Sequence, residues 1–255
     1  MSVSFIPKFV FIIPYRDREE HLEFFKHYIK IILEDENPNK YRILYVHQHD
    51  KLPFNSGAMK NFGFKYIKEI YPKHYKDIIL IFNDVDTIPY KKNLLNYDVN
   101  MGEIKHFYGH TFALGGIFSI RGGDFEKLNG FPNYWGWGFE DNVIHQRAIS
   151  HNINVNRSQF YGVRSREILH FYEDHQKKID YNNIFKQSIK NYTETNGLHS
   201  LRNYKYLFEP KTNMLHIQYF KCGYDPRHFK SYYHKVSDGT KIKIHKPSPM
   251  MKIQM

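Results

Sequence analysis

Three short apolar runs, alternating with stretches of helical periodicity, constrain this chain more than any other feature. Phe9–Pro14 is rich in Phe, Ile and Val and reads as a buried strand. After Tyr15-Arg16-Asp17-Arg18, the residues Leu22, Phe25, Ile29 and Ile32 or Leu33 recur at three- and four-residue steps, and Asn37-Pro38 stops that helix. Arg42–His47 reads as a second strand. Residues 54–71 carry Met59, Phe62, Tyr66 and Ile70 at helical spacing and end before Pro72, and Asp77–Phe82 is a third buried strand. Strand–helix–strand–helix–strand over 85 residues predicts an α/β layer with a largely parallel sheet and helices on both faces.

The second half is less regular. Phe112–Arg121 reads as a strand interrupted by the pair Gly115-Gly116, and Asp124–Leu128 as a short helix. Asn129–Glu140 is a loop rich in Gly, Trp and Pro, followed by a helix from Asp141 to Ser150. Ile153–Asn156 and Ile168–Phe171 are short strands, Asp174–Asn196 is polar and partly helical, and Met214–Phe220 is a final strand. No repeat or low-complexity linker divides the chain. One domain over 1–235 with a basic tail over 236–255 is the expected organisation.

Composition removes several classes. With 41% hydrophobic and 17% aromatic residues the chain is not disordered. Cys222 is the single cysteine, which excludes an intrachain disulfide framework and any Cys-based zinc module. No apolar run approaches the ~18 residues of a membrane span. Nothing near the start has signal-peptide character, so a soluble, cytoplasmic protein is expected. Lys and Arg outnumber Asp and Glu 37 to 26, a balance of +11 that suits an anionic ligand such as a nucleotide or phosphate. The charge is scattered and no nucleic-acid-binding motif accompanies it, so nucleic acid is not an expected partner.

Three constellations carry chemistry. In Phe82-Asn83-Asp84-Val85-Asp86 two carboxylates follow a buried strand, where open α/β sheets bind ligands. The pair reads either as an ordinary acidic turn or as the holder of a hard divalent cation on a diphosphate. Pro14-Tyr15-Arg16-Asp17-Arg18 ends the first strand, and its arginines either point into water or fork onto phosphate. Asn129 to Asp141 places both tryptophans of the chain, Trp135 and Trp137, in a glycine-flanked loop before Glu140 and Asp141. That loop reads equally as a packed aromatic corner or as a sugar-stacking segment with a general base at its end. His170 on its short apolar strand reads as a core histidine unless it shares a cavity with Asp86.

With these residues in view, the chain resembles the beta-1,4-galactosyltransferase family. LGGIFSIRGGDFEKLNGFPNYWGWGFEDNVIHQR (114–147) is similar to that family's FGG, NGFPN and YWGWGGEDDD stretch. FIIPYRDREEHL (11–22), FNSGAMKNFGF (54–64), FNDVDTIP (82–89) and GLHSLRNYKY (197–206) resemble four further family motifs in the same order. The resemblance implies a GT-A fold, Rossmann-like with a mostly parallel central sheet, that binds a UDP-sugar donor with a manganese ion on the diphosphate. It implies an inverting transfer of a hexose or N-acetylhexosamine to a hydroxyl of a glycan or glycoprotein acceptor. By the same resemblance Asp141 is the base and Glu140 orients substrate hydroxyls. Asp86 and His170 ligate the metal, and Glu167 is the best-aligned third ligand, with His175 or water in its place as alternatives. Pro14, Tyr15, Arg16, Arg18, Phe54, Asp84, Val85, Ala113, Gly115 and Gly116 line the donor site. Tyr134, Trp135, Trp137 and Gly138 belong to the loop that closes over it.

The chain departs from the family pattern at Ser56 for an arginine, Phe139 for a glycine and Asn142 for an aspartate. These losses leave room for a sugar- or UDP-binding module of the same fold without full turnover. Ala113 stands where galactose-transferring members carry a bulky tyrosine, which predicts space for a donor with an N-acetyl group at C2.

Overall fold

The computed structural model describes residues 5–171, 177–180, 195–223, 225–226 and 231–234. The first half follows its apolar pattern closely: β1 is Phe9–Tyr15, α1 Glu19–Ile32, β2 Tyr41–Gln48, α2 Ser56–Ile70 and β3 Ile79–Asn83. Then come β4 (Thr87–Pro89), β5 (Glu103–Gly109), β6 (Ile117–Arg121), α3 (Gly122–Lys127) and α4 (Glu140–Ser150). The remaining elements are β7 (Asn154–Asn156), β8 (Tyr161–Gly162), β9 (Ile168–His170), β10 (Lys177–Asp180), β11 (Arg202–Glu209), β12 (Met214–Lys221) and β13 (Ser231–His234).

Nine strands form the main sheet in the order β11-β12-β2-β1-β3-β6-β5-β7, with β8 also on β5. The neighbours β12, β2, β1 and β3 are parallel, whereas β6 is antiparallel to both β3 and β5. β1 is central and every one of its residues is buried. Successive side chains of a strand face opposite sides, so Phe9, Phe11 and Ile13 enter one core while Val10 and Ile12 enter the other. α1 covers the first side with Leu22, Phe25, Ile29 and Ile32, each worth about 2 kcal/mol of burial. α2 and α4 cover the second with Met59, Phe62, Ile67, Ile144 and Ala148.

Several expectations change. The strand read from Phe112 begins only at Ile117, because Gly116 has a positive φ (+73°) that breaks the extended run before it. β5 carries no clean alternation: His106 sits at a buried position and only Ile104, Phe107 and Tyr108 are apolar there, so the strand is hidden in the sequence. β11 is also unpredicted, since four of its eight residues are polar or charged and most are exposed. Within the stretch read as partly helical, 177–180 is a strand paired with β13 and 195–196 are turn and bend; the rest of that stretch, and the tail 236–255, lie outside the described residues. Among the described residues no helix is long and apolar enough to cross a membrane.

Candidate active site

The carboxyl ends of β1 and β3 lie side by side, and the segments leaving them meet. Arg18, just after β1, donates from Nη1 to Asp86 Oδ2 at 2.7 Å. The turn Asp84-Val85-Asp86 is closed by Thr87, whose amide and hydroxyl both bond the Asp84 carbonyl at 3.1 Å. Its two carboxylates therefore diverge. Asp86 turns to Arg18, while Asp84 turns to the amide of Gly116 (3.3 Å) and the ammonium of Lys60 (3.6 Å). Val85 between them is buried in the core.

β9 pairs antiparallel with β4, setting His170 beside Thr87, and the Phe171 amide bonds the Asp86 carbonyl at 2.9 Å. This ladder carries His170 to the acidic turn, and the buried Tyr108 hydroxyl shares a 2.7 Å hydrogen bond with its Nδ1. Glu167 is not brought there. It lies three residues before His170, on the opposite face of the strand run. Its backbone pairs with Tyr90 at the far end of the ladder, and its exposed carboxylate is held by the Ser165 hydroxyl. Asp86 and His170 are thus brought to the same turn, and Glu167 is not. His175 lies outside the described residues.

Asp141 is the second residue of α4, after Glu140, and its side chain keeps 26% of its surface exposed. Its backbone carbonyl accepts from Leu114 at 2.9 Å. A β-carbon on Gly115 would lie 2.5 Å from Asp141 Oδ2, so this position tolerates no side chain while the carboxylate stays in place. Lys60, from the middle of α2 and 2% exposed, reaches 3.2 Å from Asp141 Oδ1. Burial raises the Asp141 carboxyl above the ordinary carboxylate range; Lys60 draws it back, while Glu140 and Asp84 push it further up. Burial works against the Lys60 ammonium, but Asp141, Asp84 and Glu140 outweigh it and hold the lysine charged. Glu140 is raised as well, by burial first.

Pro14 and Tyr15 are buried in β1, and Arg16 is turned to the loop after β2, donating to the Leu52 carbonyl with Asp50 at 3.8 Å. Phe54 is half-buried against the core, and its carbonyl accepts from the Gly136 amide at 2.8 Å. Ala113 is buried, in the turn before the glycine pair. The aromatic loop divides in two. Trp135 is fully buried and stacked on Phe220 with centroids 5.0 Å apart, so it is a core residue and not a ligand-stacking one. Trp137 is 41% exposed, Tyr134 is half-buried, and Gly138 adopts φ +115° with open space around it. Phe139, which replaces the family's glycine, also takes a left-handed conformation (φ +70°), costing about 1–2 kcal/mol for a side chain of this size.

Sequence reasoning missed Lys60 because its helix was read through Met59, Phe62 and Tyr66. The available signal was that Lys60 shares the spacing of Phe64 and Ile67, which places an ammonium on a face that is buried. It also missed the polar knot beneath the loop. Asn61 bonds the Phe131 amide (2.9 Å) and carbonyl (2.7 Å) and Asn133 Oδ1 (2.9 Å), and Asn133 bonds the Gly197 carbonyl (2.7 Å) and Ser200 hydroxyl (2.9 Å). Three motifs far apart in sequence are tied there into one support. A cavity of about 310 Å³ bordered by Phe9, Ile32 and Tyr41 lies by the other end of β1 and β2, away from these acids.

Acids, arginines and an aromatic, glycine-rich loop gathered at the carboxyl edge of such a sheet belong to the GT-A class of nucleotide-sugar glycosyltransferases. Residues 5–98 match the family model described as the N-terminal region of glycosyl transferase group 7, and 97–176 match the one described as the N-terminal domain of galactosyltransferase. The chain belongs to the beta-1,4-galactosyltransferase family of glycosyl transferase group 7. It is 29% identical over 211 residues to the xylosylprotein 4-beta-galactosyltransferase of Caenorhabditis elegans, covering 76% of this chain and 70% of that protein. It is 30% identical over 200 residues to human beta-1,4-galactosyltransferase 2, covering 75% of this chain and 53% of that one, so it spans only about half of the human relative. The catalytic domain of Drosophila beta-1,4-galactosyltransferase 7 with xylobiose superposes with a TM-score of 0.69 at 21% identity, over 88% of this chain and 98% of that one. A variant of the Drosophila enzyme with manganese, UDP-Gal and xylobiose gives a TM-score of 0.67 at 22% identity over the same shares. These two structures establish the fold.

Proposed function

We propose that this chain is a metal-dependent, inverting glycosyltransferase. It moves a hexose or N-acetylhexosamine from a UDP-sugar to a hydroxyl of a glycan or glycoprotein acceptor. The observation that carries this reading is the meeting of Asp84, Asp86, Arg18 and Asp141 at one edge of the sheet, drawn from three separate elements. The Asp86 carboxylate and the His170 imidazole, zipped together by β4 and β9, are a donor set that suits manganese. Bound there, the cation supplies positive charge to the diphosphate of the donor.

The remaining chemistry falls to the chain's own groups. An acceptor oxygen attacks C1 of the sugar from the face opposite UDP; the C1–oxygen bond to UDP breaks as the new one forms, and the hydroxyl proton passes to Asp141. The raised Asp141 carboxyl is a better proton acceptor than an ordinary surface aspartate, and Lys60, 3.2 Å from its Oδ1, favours its ionised form and holds it in place. Glu140 orients hydroxyls of the sugars, and Arg16 and Arg18 add positive charge where the leaving diphosphate gathers negative charge. Trp137 and Gly138 close over the donor and exclude water, Tyr134 lies beside them, and Ala113 leaves room at the sugar's C2 substituent.

Purified protein with manganese and a panel of UDP-Gal, UDP-GalNAc, UDP-GlcNAc, UDP-Glc and UDP-Xyl, with simple sugar acceptors, tests the reading through UDP release. Release with UDP-Gal or UDP-GalNAc, abolished by chelator and by Asp86→Ala, is the expected result. Release that persists in both would remove the metal from the account, and use of UDP-Gal with complete refusal of UDP-GalNAc would remove the role given to Ala113.

A further inference from the structure

The carboxyl end of β2 and the start of β12 beside it carry three histidines that sugar transfer leaves unused. β12 runs parallel to β2 with His216 directly beside His47. His49 follows His47 by two residues, and its amide continues the ladder to the Ile217 carbonyl at 2.9 Å. Residues two apart on an extended strand share a face, so the backbone sets all three imidazoles on one side of the sheet edge. Nδ1 of His47 lies 3.0 Å from Nδ1 of His216, and one ring nitrogen from each of the three lies within 4.8 Å of the other two. The ring centroids are 5.2 to 5.9 Å apart.

That spacing fits a shared cation. Nitrogens bound at about 2.0–2.1 Å to a tetrahedral zinc stand about 3.3 Å apart, so His47 and His216 need to separate by only a few tenths of an ångström. The other ring nitrogen of His216 points to Glu209, 3.8 Å away, and Glu209 is itself held by the Thr212 hydroxyl at 2.5 Å. A carboxylate behind a ligating histidine fixes its tautomer and strengthens it as a donor.

We propose that His47, His49 and His216 form a metal site of their own, taking a nitrogen-preferring divalent ion such as Zn2+, with Glu209 behind His216 and solvent completing the coordination. The donor set is all imidazole, in contrast to the carboxylate-containing Asp86 and His170 pair, and so selects different ions. The ion would clamp β12 onto β2 between positions 169 residues apart in sequence, one strand over from Arg16. This inference stands whether or not the chain transfers sugar.

The test uses the full chain, free of any histidine tag, titrated with Zn2+ by calorimetry and with Co2+ by visible absorption. The expected result is one tightly bound ion whose Co2+ spectrum is tetrahedral, with a melting temperature that rises on Zn2+ addition. His49 is exposed, so His49→Gln probes the site without disturbing the core. It and His216→Gln are expected to weaken Zn2+ binding by about tenfold or more, and Glu209→Gln by about tenfold. Asp86→Ala is expected to leave the tight ion in place. No saturable Zn2+ binding, binding unchanged in both histidine variants, or binding lost in Asp86→Ala would each overturn the proposal.

Discussion

The Lys60 ammonium sits 3.2 Å from Asp141 Oδ1, although Lys60 comes from the middle of a buried helix and Asp141 from the start of another. The same ammonium is 3.6 Å from Asp84, so a single buried cation joins the acidic turn after β3 to the proposed base. Lys60→Met removes the positive charge that draws the raised Asp141 carboxyl back down. Its proton affinity then rises further, and the acidic limb of the kcat/KM profile moves to higher pH. An unchanged limb in a variant that still melts cooperatively would show that Lys60 does not tune the base.

The two adjacent glycines are predicted to fail in different ways. Gly115→Ala places a methyl 2.5 Å from Asp141 Oδ2, and the carboxylate must move. Transfer is expected to fall by about 100-fold, as when a reacting group is displaced, with little change in melting temperature. Gly116→Ala meets the Tyr108 backbone carbonyl at 2.5 Å with φ at +73°, so it is expected to cost about 1–3 kcal/mol of stability. Kinetics and denaturant melts on the pair separate the two effects.

His106 predicts an acid-sensitive fold. It is 1% exposed; its Nε2 lies 3.0 and 3.1 Å from the Tyr108 and Gly115 carbonyls, and Nδ1 faces Arg157 at 3.2 Å. Burial pushes its pKa down to about 4, and Arg157 adds to that. The unfolded chain, near 6.5, then binds the proton more readily than the folded one. Stability is complete above about pH 6.5 and declines as pH falls toward 4, by about 3 kcal/mol from this group. Denaturant midpoints across that window should show the decline in the wild type and a shallower one in His106→Gln. Equal slopes would contradict the assignment.

The tryptophans separate core from loop. Trp135→Ala removes a fully buried ring stacked on Phe220 and is expected to cost about 3–5 kcal/mol. Trp137→Ala, at a 41% exposed position, is expected to leave the melting temperature nearly unchanged while raising KM for donor or acceptor. A stable Trp135→Ala variant, or an inert Trp137→Ala, would reverse the division of the loop.

Most of the first half of the fold was legible because β1 and β3 are buried on both faces and their runs are apolar from end to end. β5 and β11 were not, since His106 interrupts one pattern and the other is exposed along most of its length. In the site, local placement was readable: a carboxylate directly after a strand must lie at the sheet's carboxyl edge. Long-range pairing was not, because no spacing links Lys60 to Asp141 or His47 to His216. Trp135 and Glu167 were misplaced for the same reason: a short motif names residue types but not the side of the chain each one faces.

The central claim is that Asp141 takes the acceptor's proton, and Asp141→Asn tests it most directly. The substitution keeps the shape of the side chain and removes its basicity. Single-turnover transfer and UDP–manganese binding should be measured together on the wild type and the variant. The account predicts a fall in the transfer rate of about 100-fold or more, with UDP–manganese affinity within a few-fold of wild type. A variant that transfers at close to the wild-type rate would contradict it.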